Sequence, residues 1–291
     1  MNKFVLGTVQ LGINYGITNK TGKPTEKQSI EIIKYAIENN INTFDTANEY
    51  GESEKLLSRT EDFNTTIITK LAKFPVNISE KEIINNTISS IEKSCQNLKI
   101  DKINTLLLHS YEQYKNKIIW KTLNKLKENN KINKLGVSVY TVNEAIECLR
   151  DDLVEHIQIP FNILDNQWNN FENLINKKNI TIHVRSIFLQ GILINNKEYW
   201  PKNIDAEVYT SKIEKLAYKL NLSKIELCIS YAKSMTWING IIIGVETLEQ
   251  LKNNIDLFIN TRLLTSDEIL LIQNTFNNVD NKITDPRLWK K

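Results

Sequence analysis

The sequence lacks the features that membrane, disulfide-rich and metal-binding proteins require. None of its apolar runs approaches the roughly 20 residues needed to cross a bilayer. The apolar run near the N-terminus stops at Gly7, which is not the pattern of a secretory signal. Cys95, Cys148 and Cys228 are widely spaced and form no Cys-x-x-Cys pair, so we expect neither a disulfide framework nor a metal site. The sequence therefore predicts a cytoplasmic protein with no membrane segment.

The charge is balanced along the chain. The 291 residues include 37 Lys and Arg against 34 Asp and Glu, a net charge of +3, with 41% hydrophobic residues. Because basic residues are not concentrated on one segment, nothing indicates a nucleic-acid partner. No linker rich in Pro, Gly or Ser divides the chain, so residues 1–291 are predicted to form a single domain. The oligomeric state is not readable from the sequence.

Short segments rich in β-branched residues alternate with helical ones. Eight segments are predicted as strands: residues 5–8, 43–47, 66–70, 106–109, 134–139, 155–159, 181–186 and 240–244. Several are apolar on successive residues, which is typical of strands buried on both faces in a parallel sheet.

The helical segments begin with repeated start signals. Five Ser/Thr-x-x-Glu/Gln patterns fit capping boxes: Thr25 with Gln28, Ser79 with Glu82, Thr141 with Glu144, Ser223 with Glu226 and Thr247 with Gln250. Eight strand–helix alternations in a chain of this length favour an α/β fold of the (β/α)8 TIM-barrel type. The alternative, a doubly wound open sheet, usually has a G-x-G-x-x-G turn after its first strand, whereas Gly7, Gly12 and Gly16 have a different spacing.

Ionisable residues lie at the ends of three predicted strands. Asp45, Lys70 and His109 end the second, third and fourth strands, whose carboxyl ends meet at one mouth of a barrel. Each alone has an ordinary structural explanation, as a helix cap, a solvated lysine or a core histidine. Their convergence favours a functional site. Since a buried cation and anion are tolerated only together, we predict that Asp45 pairs with Lys70.

Tyr50 follows the second strand, five residues beyond Asp45. Gly51 permits a tight turn behind it, and Ser53 can open the next helix. An ammonium within about 4–6 Å lowers the pKa of a phenol from its usual value near 10, because the phenolate is favoured. We therefore expect Tyr50 to have a lowered pKa and to be able to donate a proton to a developing alkoxide.

These residues lie in motifs that resemble those of the aldo-keto reductases. Residues 45–54, DTANEYGESE, resemble the family stretch D-T-A-x-x-Y-G-x-S-E, and the pairs and triplets ending at Lys70, His109 and Ser138 follow in the family's order. Residues 184–193, VRSIFLQGIL, and 242–251, IIGVETLEQL, are similar to a bacterial subgroup with an R-S-x-F-L-Q-G stretch. The resemblance covers nearly the whole chain.

The resemblance implies NADPH-dependent reduction of an aldehyde or ketone by direct hydride transfer. The family tetrad falls on Asp45, Tyr50, Lys70 and His109. Tyr50 corresponds to the general acid, and Lys70 to the group that lowers its pKa. Asp45 corresponds to the counter-ion of Lys70, and His109 to the group that orients the substrate carbonyl.

The resemblance also implies a set of cofactor-binding residues across the barrel mouth. It places Ser138 and Gln158 at the nicotinamide carboxamide, Leu189 to Gly191 at the pyrophosphate, and Gln250 at the adenosine end. The full set is Gly7, Thr8, Asp45, Ser138, Gln158, Arg185, Ser186, Leu189, Gly191, Gly244, Glu246, Thr247, Gln250 and Asn254.

Three residues depart from the family pattern. Val139 replaces an Asn that commonly binds the carboxamide, and Arg185 replaces an aromatic ring that stacks on the nicotinamide. Arg185 can stack or can bind substrate. Glu246 lies where many members grip the 2′-phosphate with basic residues, and a carboxylate there suits a ribose diol, so NADH is an alternative to NADPH.

The substrate class is the least defined part of the prediction. We expect a small carbonyl compound, sugar-like or otherwise polar, bound by loops after the strands. The candidate contributors are Asn14, Tyr15, residues 71–77, residues 110–114 and Trp289. Two alternatives remain open at this point: a cofactor-binding sensor or auxiliary barrel subunit with little turnover, and an aldolase that forms a Schiff base on Lys70.

Overall fold

Eight parallel strands close into a barrel, as predicted. The computed structural model describes residues 3–60, 64–75, 77–175, 179–195 and 197–289. The strands are β1 (Phe4–Gly7), β2 (Thr43–Asp45), β3 (Thr66–Lys70), β4 (Ile103–Leu108), β5 (Ile132–Ser138), β6 (His156–Pro160), β7 (Thr181–Arg185) and β8 (Gly240–Gly244). Each strand pairs with the next one, and Gly7 of β1 lies opposite both Asp45 of β2 and Gly244 of β8, which closes the ring.

Helices surround the barrel. They are α1 (Val9–Gly12), α2 (Glu26–Glu38), α3 (Ser53–Leu57), α4 (Glu80–Leu98), α5 (Tyr111–Lys115), α6 (Lys117–Glu128), α7 (Val142–Leu149), α8 (Glu172–Ile175), α9 (Glu207–Lys219), α10 (Lys224–Ser234), α11 (Leu248–Asn260), α12 (Ser266–Thr275) and α13 (Asn281–Thr284). Short 3-10 turns lie at Asn166–Trp168, Leu189–Gly191, Lys197–Tyr199 and Pro286–Leu288. Within the described ranges, no helix combines the length and apolar character that crossing a bilayer requires.

Four of the five predicted capping boxes are present in full, before α2, α4, α7 and α10. The fifth prediction is half right. Thr247 accepts a hydrogen bond from the Gln250 amide, but the Gln250 side chain binds Glu246 instead of reaching back to Thr247. A further capping box, formed by Thr265 and Glu268 before α12, was not predicted. These caps satisfy backbone amides that would otherwise have no partner at the helix starts.

The core lies inside the barrel and between the barrel and the helices. All residues of β1 and β6 are buried, including His156 and Gln158 of β6, as expected for strands covered on both faces. Two histidines are also buried among the strands: the rings of His156 and His183 lie 4.4 Å apart, centroid to centroid. The observed carboxyl ends of the strands match the prediction in β3 and β8 and shift by one or two residues in the others, so that His109 lies just beyond β4.

Candidate active site

A cavity of about 570 Å³ opens at the carboxyl ends of the strands. It brings together most of the predicted site residues, which come from all eight strand ends. Those that line it are Gly7, Thr8, Asp45, Tyr50, Lys70, His109, Ser138, Gln158, Arg185, Ser186, Gly191, Gly244, Glu246, Gln250 and Asn254. Leu189 and Thr247 do not line it.

Asp45 and Lys70 form a buried ion pair at the base of the cavity. The Lys70 Nζ lies 2.6 Å from Asp45 Oδ1 and donates a second hydrogen bond, of 3.0 Å, to the Thr46 carbonyl. The two side chains are only 2% and 6% exposed. Burial lowers the pKa of Lys70, and the Asp45 carboxylate opposes that shift. The pair therefore holds two charges where neither alone would be stable.

Gln158 forms a hydrogen bond with the second oxygen of the Asp45 carboxylate. Its Nε2 donates to Asp45 Oδ2 over 2.7 Å, so both carboxylate oxygens have a partner. The other end of the Gln158 amide, Oε1, is buried and has no hydrogen-bond partner within the chain. Such an acceptor is costly unless a ligand supplies a donor, and Gln158 faces the cavity.

Two glycines allow Tyr50 to lie beside this pair. Gly51 adopts a left-handed backbone with φ of +57°, and a Cβ on Gly12 would lie 1.7 Å from the Tyr50 carbonyl oxygen. The Ser53 hydroxyl donates a 2.7 Å hydrogen bond to the Thr8 carbonyl and fixes the start of α3 against β1. As a result, Lys70 Nζ lies 5.1 Å from the centroid of the Tyr50 ring.

The expectation that Tyr50 has a lowered pKa is wrong for this structure. Burial raises the pKa of Tyr50, and the negative charge of Asp45 raises it further, while Arg185 opposes the shift. Asp45 neutralises the nearest ammonium, so Lys70 does not outweigh the loss of phenolate solvation. Tyr50 is therefore protonated at neutral pH, the state that a proton donor needs.

His109 lies across from Tyr50, with ring centroids 6.0 Å apart in an edge-to-face arrangement. Gln113 holds the backbone there, because its Oε1 accepts from the His109 amide and its Nε2 donates to the Ala72 carbonyl. Burial, Lys70, Lys73 and Arg185 lower the pKa of His109 to about 3, so the imidazole is neutral. Its Nδ1 lies 3.4 Å from Glu49 Oε2 without hydrogen-bonding alignment.

Arg185 and Tyr140 border the cavity at the ends of β7 and β5. The Arg185 guanidinium carbon lies 4.4 Å from the centroid of the Tyr140 ring, and Nη2 donates a long 3.5 Å hydrogen bond to the Val139 carbonyl. Ser138 is buried beside them and lines the cavity. Sequence reasoning missed Tyr140, because its neighbours Arg185 and Arg287 are remote in the chain.

A strained segment follows β7. Ser186, Leu189 and Gln190 all have left-handed backbones with φ between +48° and +66°. This turn directs the Leu189 side chain into the core, where it is fully buried, and Leu189 does not line the cavity. The place of Leu189 beside the pyrophosphate therefore stays a prediction. Gly191 and Ser186 do line the cavity, and Thr18 Oγ1 donates a 3.2 Å hydrogen bond to the Gln190 carbonyl.

Glu246 and Gln250 form a connected pair that lines the cavity beyond the end of β8. Gln250 Nε2 donates to Glu246 Oε2 over 2.7 Å, and Gln250 Oε1 accepts from the Glu246 amide over 2.8 Å. This leaves a carboxylate held in place on the cavity wall. Thr247 caps α11 with its hydroxyl and does not line the cavity.

The loop residues proposed for substrate binding are mostly elsewhere. Tyr15 lines the cavity, whereas Asn14, residues 110–114 and Trp289 do not. Part of the predicted segment 71–77, residue 76, lies outside the described residues. Residues that line the cavity but were not predicted include Gln10, Thr18, Tyr140, Ile194, Asn195, Ile225 and Asn253.

A closed eight-stranded barrel with an Asp–Lys pair, a tyrosine and a histidine at its carboxyl mouth defines a class of barrel oxidoreductase. The sequence matches the profile of the Aldo/keto reductase family over residues 3–275. The chain therefore belongs to the aldo/keto reductase family, whose members are NAD(P)H-dependent oxidoreductases.

Known proteins resemble the chain in sequence and in fold. It is 27% identical to glyoxal reductase of Bacillus subtilis over 180 residues, which are 58% of this chain and 62% of that enzyme. It is 25% identical to D-arabinose 1-dehydrogenase of Saccharomyces cerevisiae over 88% of this chain and 85% of that enzyme. An aldo-keto reductase from Bacillus halodurans, in its holo form, has the same fold, with a TM-score of 0.76, 20% identity and 97% and 95% of the two chains covered.

Proposed function

We propose that this protein reduces an aldehyde or ketone to an alcohol with NAD(P)H, with Tyr50 as the proton donor. The carbonyl compound, the reduced nicotinamide and one proton yield the alcohol and the oxidised nicotinamide. The observation that carries the proposal is the Asp45–Lys70 pair, 2.6 Å apart and buried beside Tyr50 and His109 on one cavity wall. The bound cofactor supplies the hydride, and the chain positions the carbonyl and the proton.

The residues around the carbonyl have separate roles in the proposal. Tyr50 donates its hydroxyl proton to the oxygen as that oxygen gains negative charge. Neutral His109 donates a hydrogen bond to the same oxygen and fixes its direction, since its lowered pKa of about 3 keeps it uncharged. Lys70 acts behind Tyr50: its fixed ammonium, held in place by Asp45, favours the negative charge that develops as Tyr50 gives up its proton, without solvent reorganisation.

The cavity wall fits an extended dinucleotide. The unpartnered Gln158 Oε1 and the buried Ser138 hydroxyl can bind a carboxamide at one end. Ser186, Gly191, Glu246 and Gln250 also line the cavity. In the proposal, Ser186 and Gly191 lie beside the pyrophosphate, and Glu246 with Gln250 lies beside the adenosine end. Because Glu246 disfavours a 2′-phosphate and suits a ribose diol, we propose that NADH is accepted at least as well as NADPH.

A polar carbonyl compound is the proposed substrate class. Tyr15, Tyr50 and Tyr140 all line the cavity, so it presents both apolar rings and hydroxyls. The names of the two relatives refer to glyoxal and to D-arabinose, both of them small and polar. These resemblances support the same class for this chain.

A panel of aldehydes and ketones, followed by the loss of nicotinamide absorbance, tests this function. We expect turnover with NADH, NADPH or both. Cofactor binding detected by fluorescence without turnover on any carbonyl would instead make the protein a cofactor-binding sensor or auxiliary subunit. Borohydride trapping of a carbonyl substrate on Lys70, independent of cofactor, would make it a Schiff-base aldolase. The ion pair with Asp45 argues against that chemistry, because Lys70 is not a free amine.

A further inference from the structure

Two arginines lie over the same tyrosine ring, and only one of them has a counter-ion. The guanidinium carbons of Arg185 and Arg287 lie 4.4 and 3.8 Å from the Tyr140 ring centroid. Arg287 binds both oxygens of Asp285 at distances of 2.6 to 3.0 Å. In the described part of the chain, Arg185 forms no ion pair, and it donates a long hydrogen bond of 3.5 Å to the Val139 carbonyl.

The position of Arg185 makes its charge available inside the cavity. Arg185 lines the cavity together with Tyr50, while Arg287 does not line it. The Asp285 carboxylate, which could have served Arg185, is already engaged by Arg287 through both oxygens. Stacking on Tyr140 and the Val139 carbonyl fix the guanidinium plane, which preorganises it for a bidentate partner.

The charges of the side chains around Tyr50 and His109 do not cancel unless a ligand brings an anion. Lys70 is neutralised by Asp45, and His109 is neutral. Glu49 and Lys73, both close to His109, bring one charge of each sign. Arg185 therefore leaves one unpaired positive charge, close enough to Tyr50 to act electrostatically on that hydroxyl. Glu246 lies on the wall contributed by the end of β8 and is held by Gln250. A half-buried cation of this kind is stabilised when a ligand brings an anion.

We propose that Arg185 is a specificity determinant that binds a carboxylate on the substrate, so that the preferred substrates are anionic aldehydes or ketones. The inference rests on the proposed carbonyl reduction and narrows its substrate class from polar to acidic. The phosphates of the cofactor are the other source of an oxyanion for Arg185, and the test below distinguishes them from a carboxylate on the substrate.

Matched substrate pairs that differ only in charge test the proposal. Glyoxylate is compared with glyoxylamide, and 4-formylbenzoate with 4-formylbenzamide, in the wild type and in Arg185→Gln, Arg185→Lys and Arg287→Gln. An Arg–carboxylate hydrogen bond contributes enough that Arg185→Gln should lower the acid-to-amide ratio of kcat/KM by about 10- to 100-fold. The loss should appear mainly in KM and be partly restored in Arg185→Lys. Arg287→Gln should change the ratio less than threefold, because that charge is already paired.

A binding experiment keeps the inference testable even without turnover. Calorimetry measures benzoate and benzamide binding to the complex of the protein with the oxidised nicotinamide, in the same variants, with thermal unfolding as the control for folding. Preference for benzoate that is lost in Arg185→Gln and kept in Arg287→Gln supports the proposal. An unchanged benzoate preference, or an unchanged acid-to-amide ratio with weaker NAD(P)H binding, would overturn it and assign Arg185 to the cofactor. Absence of turnover with every carbonyl would refute the proposed function alone.

Discussion

The ends of β2 to β4 and the ends of β5 to β8 border one cavity, but their polar groups are satisfied in different ways. At the first set, Asp45 uses both carboxylate oxygens on partners within the chain. At the second set, Gln158 Oε1 has no partner and Arg185 has no counter-ion among the described residues. The comparison separates a side whose charged groups, proposed to be catalytic, are paired within the chain from a side whose unpaired cation and unpaired acceptor need a ligand.

The largest effect is expected from the catalytic side. Tyr50→Phe removes the proposed proton donor and should lower kcat by about 10²- to 10⁴-fold. The affinity for NAD(P)H should stay nearly constant, because the hydroxyl acts on the substrate. Steady-state kinetics and fluorescence titration of the cofactor measure the two quantities. A variant that keeps near-wild-type turnover would remove Tyr50 from the mechanism and end the distinction between the two sides.

Breaking the buried pair should cost stability. Asp45→Asn leaves Lys70 charged and buried without a counter-ion, which should lower the free energy of unfolding by about 3–5 kcal/mol. The double variant Asp45→Asn/Lys70→Met should regain most of this stability without regaining activity. The matched control is Glu207→Gln, which breaks the exposed Lys197–Glu207 pair and should change stability little. Urea unfolding measures all three, and equal effects for the two pairs would contradict the account.

Two buried histidines in the barrel interior should make the free energy of unfolding depend on pH. Burial lowers the pKa of His183 to about 4, and the pKa of His156 is lowered as well. The unfolded chain therefore binds more protons between pH 6.5 and 4, and stability should fall as the pH falls through that window. The shift of His183 corresponds to roughly 3 kcal/mol at full extent.

Urea unfolding at pH 7.5 and pH 5 isolates this contribution when the wild type is compared with His183→Gln. The variant should lose less stability than the wild type on acidification. An equal loss in both proteins would mean that His183 is already protonated or solvated in the folded state.

The smallest effect concerns the cofactor. Glu246→Ser should shift the affinity ratio toward NADPH by about tenfold, since a negative charge near the 2′ position is removed. Glu249→Ser removes the same charge from an exposed position of α11 outside the cavity and should leave the ratio unchanged. If both variants behave alike, Glu246 does not face the 2′ position.

The sequence predicted the parts of the molecule that repeat or that depend on local pattern. β3 and β8 have the predicted bounds, and the ion pair of Asp45 with Lys70 follows from two adjacent strand ends. The family motifs placed Tyr50 and His109 on the same cavity. In each case a local pattern fixes the backbone, and the barrel fixes the neighbours.

Where the structure differs from the sequence-based expectations, the cause is a backbone conformation or a contact that a local sequence pattern does not encode. The Leu189 side chain turns into the core because Leu189 and its neighbours Ser186 and Gln190 have left-handed backbones. Gln250 serves Glu246 instead of the helix cap, since the nearby carboxylate offers it a partner. The pKa of Tyr50 rises because a fully paired Lys70 no longer outweighs burial. Long-range contacts with Tyr140 depend on the folded path of the C-terminal segment.

The central claim is direct hydride transfer from the nicotinamide to the carbonyl carbon, and deuterium labelling of the cofactor tests it most directly. NAD(P)H carrying deuterium at the reactive carbon of the nicotinamide is incubated with the protein and a carbonyl substrate, and the alcohol is analysed by mass spectrometry and NMR. We predict one deuterium on the former carbonyl carbon, and loss of this product in Tyr50→Phe. An alcohol without the label, or labelled alcohol formed equally fast by Tyr50→Phe, would contradict direct hydride transfer at this barrel mouth.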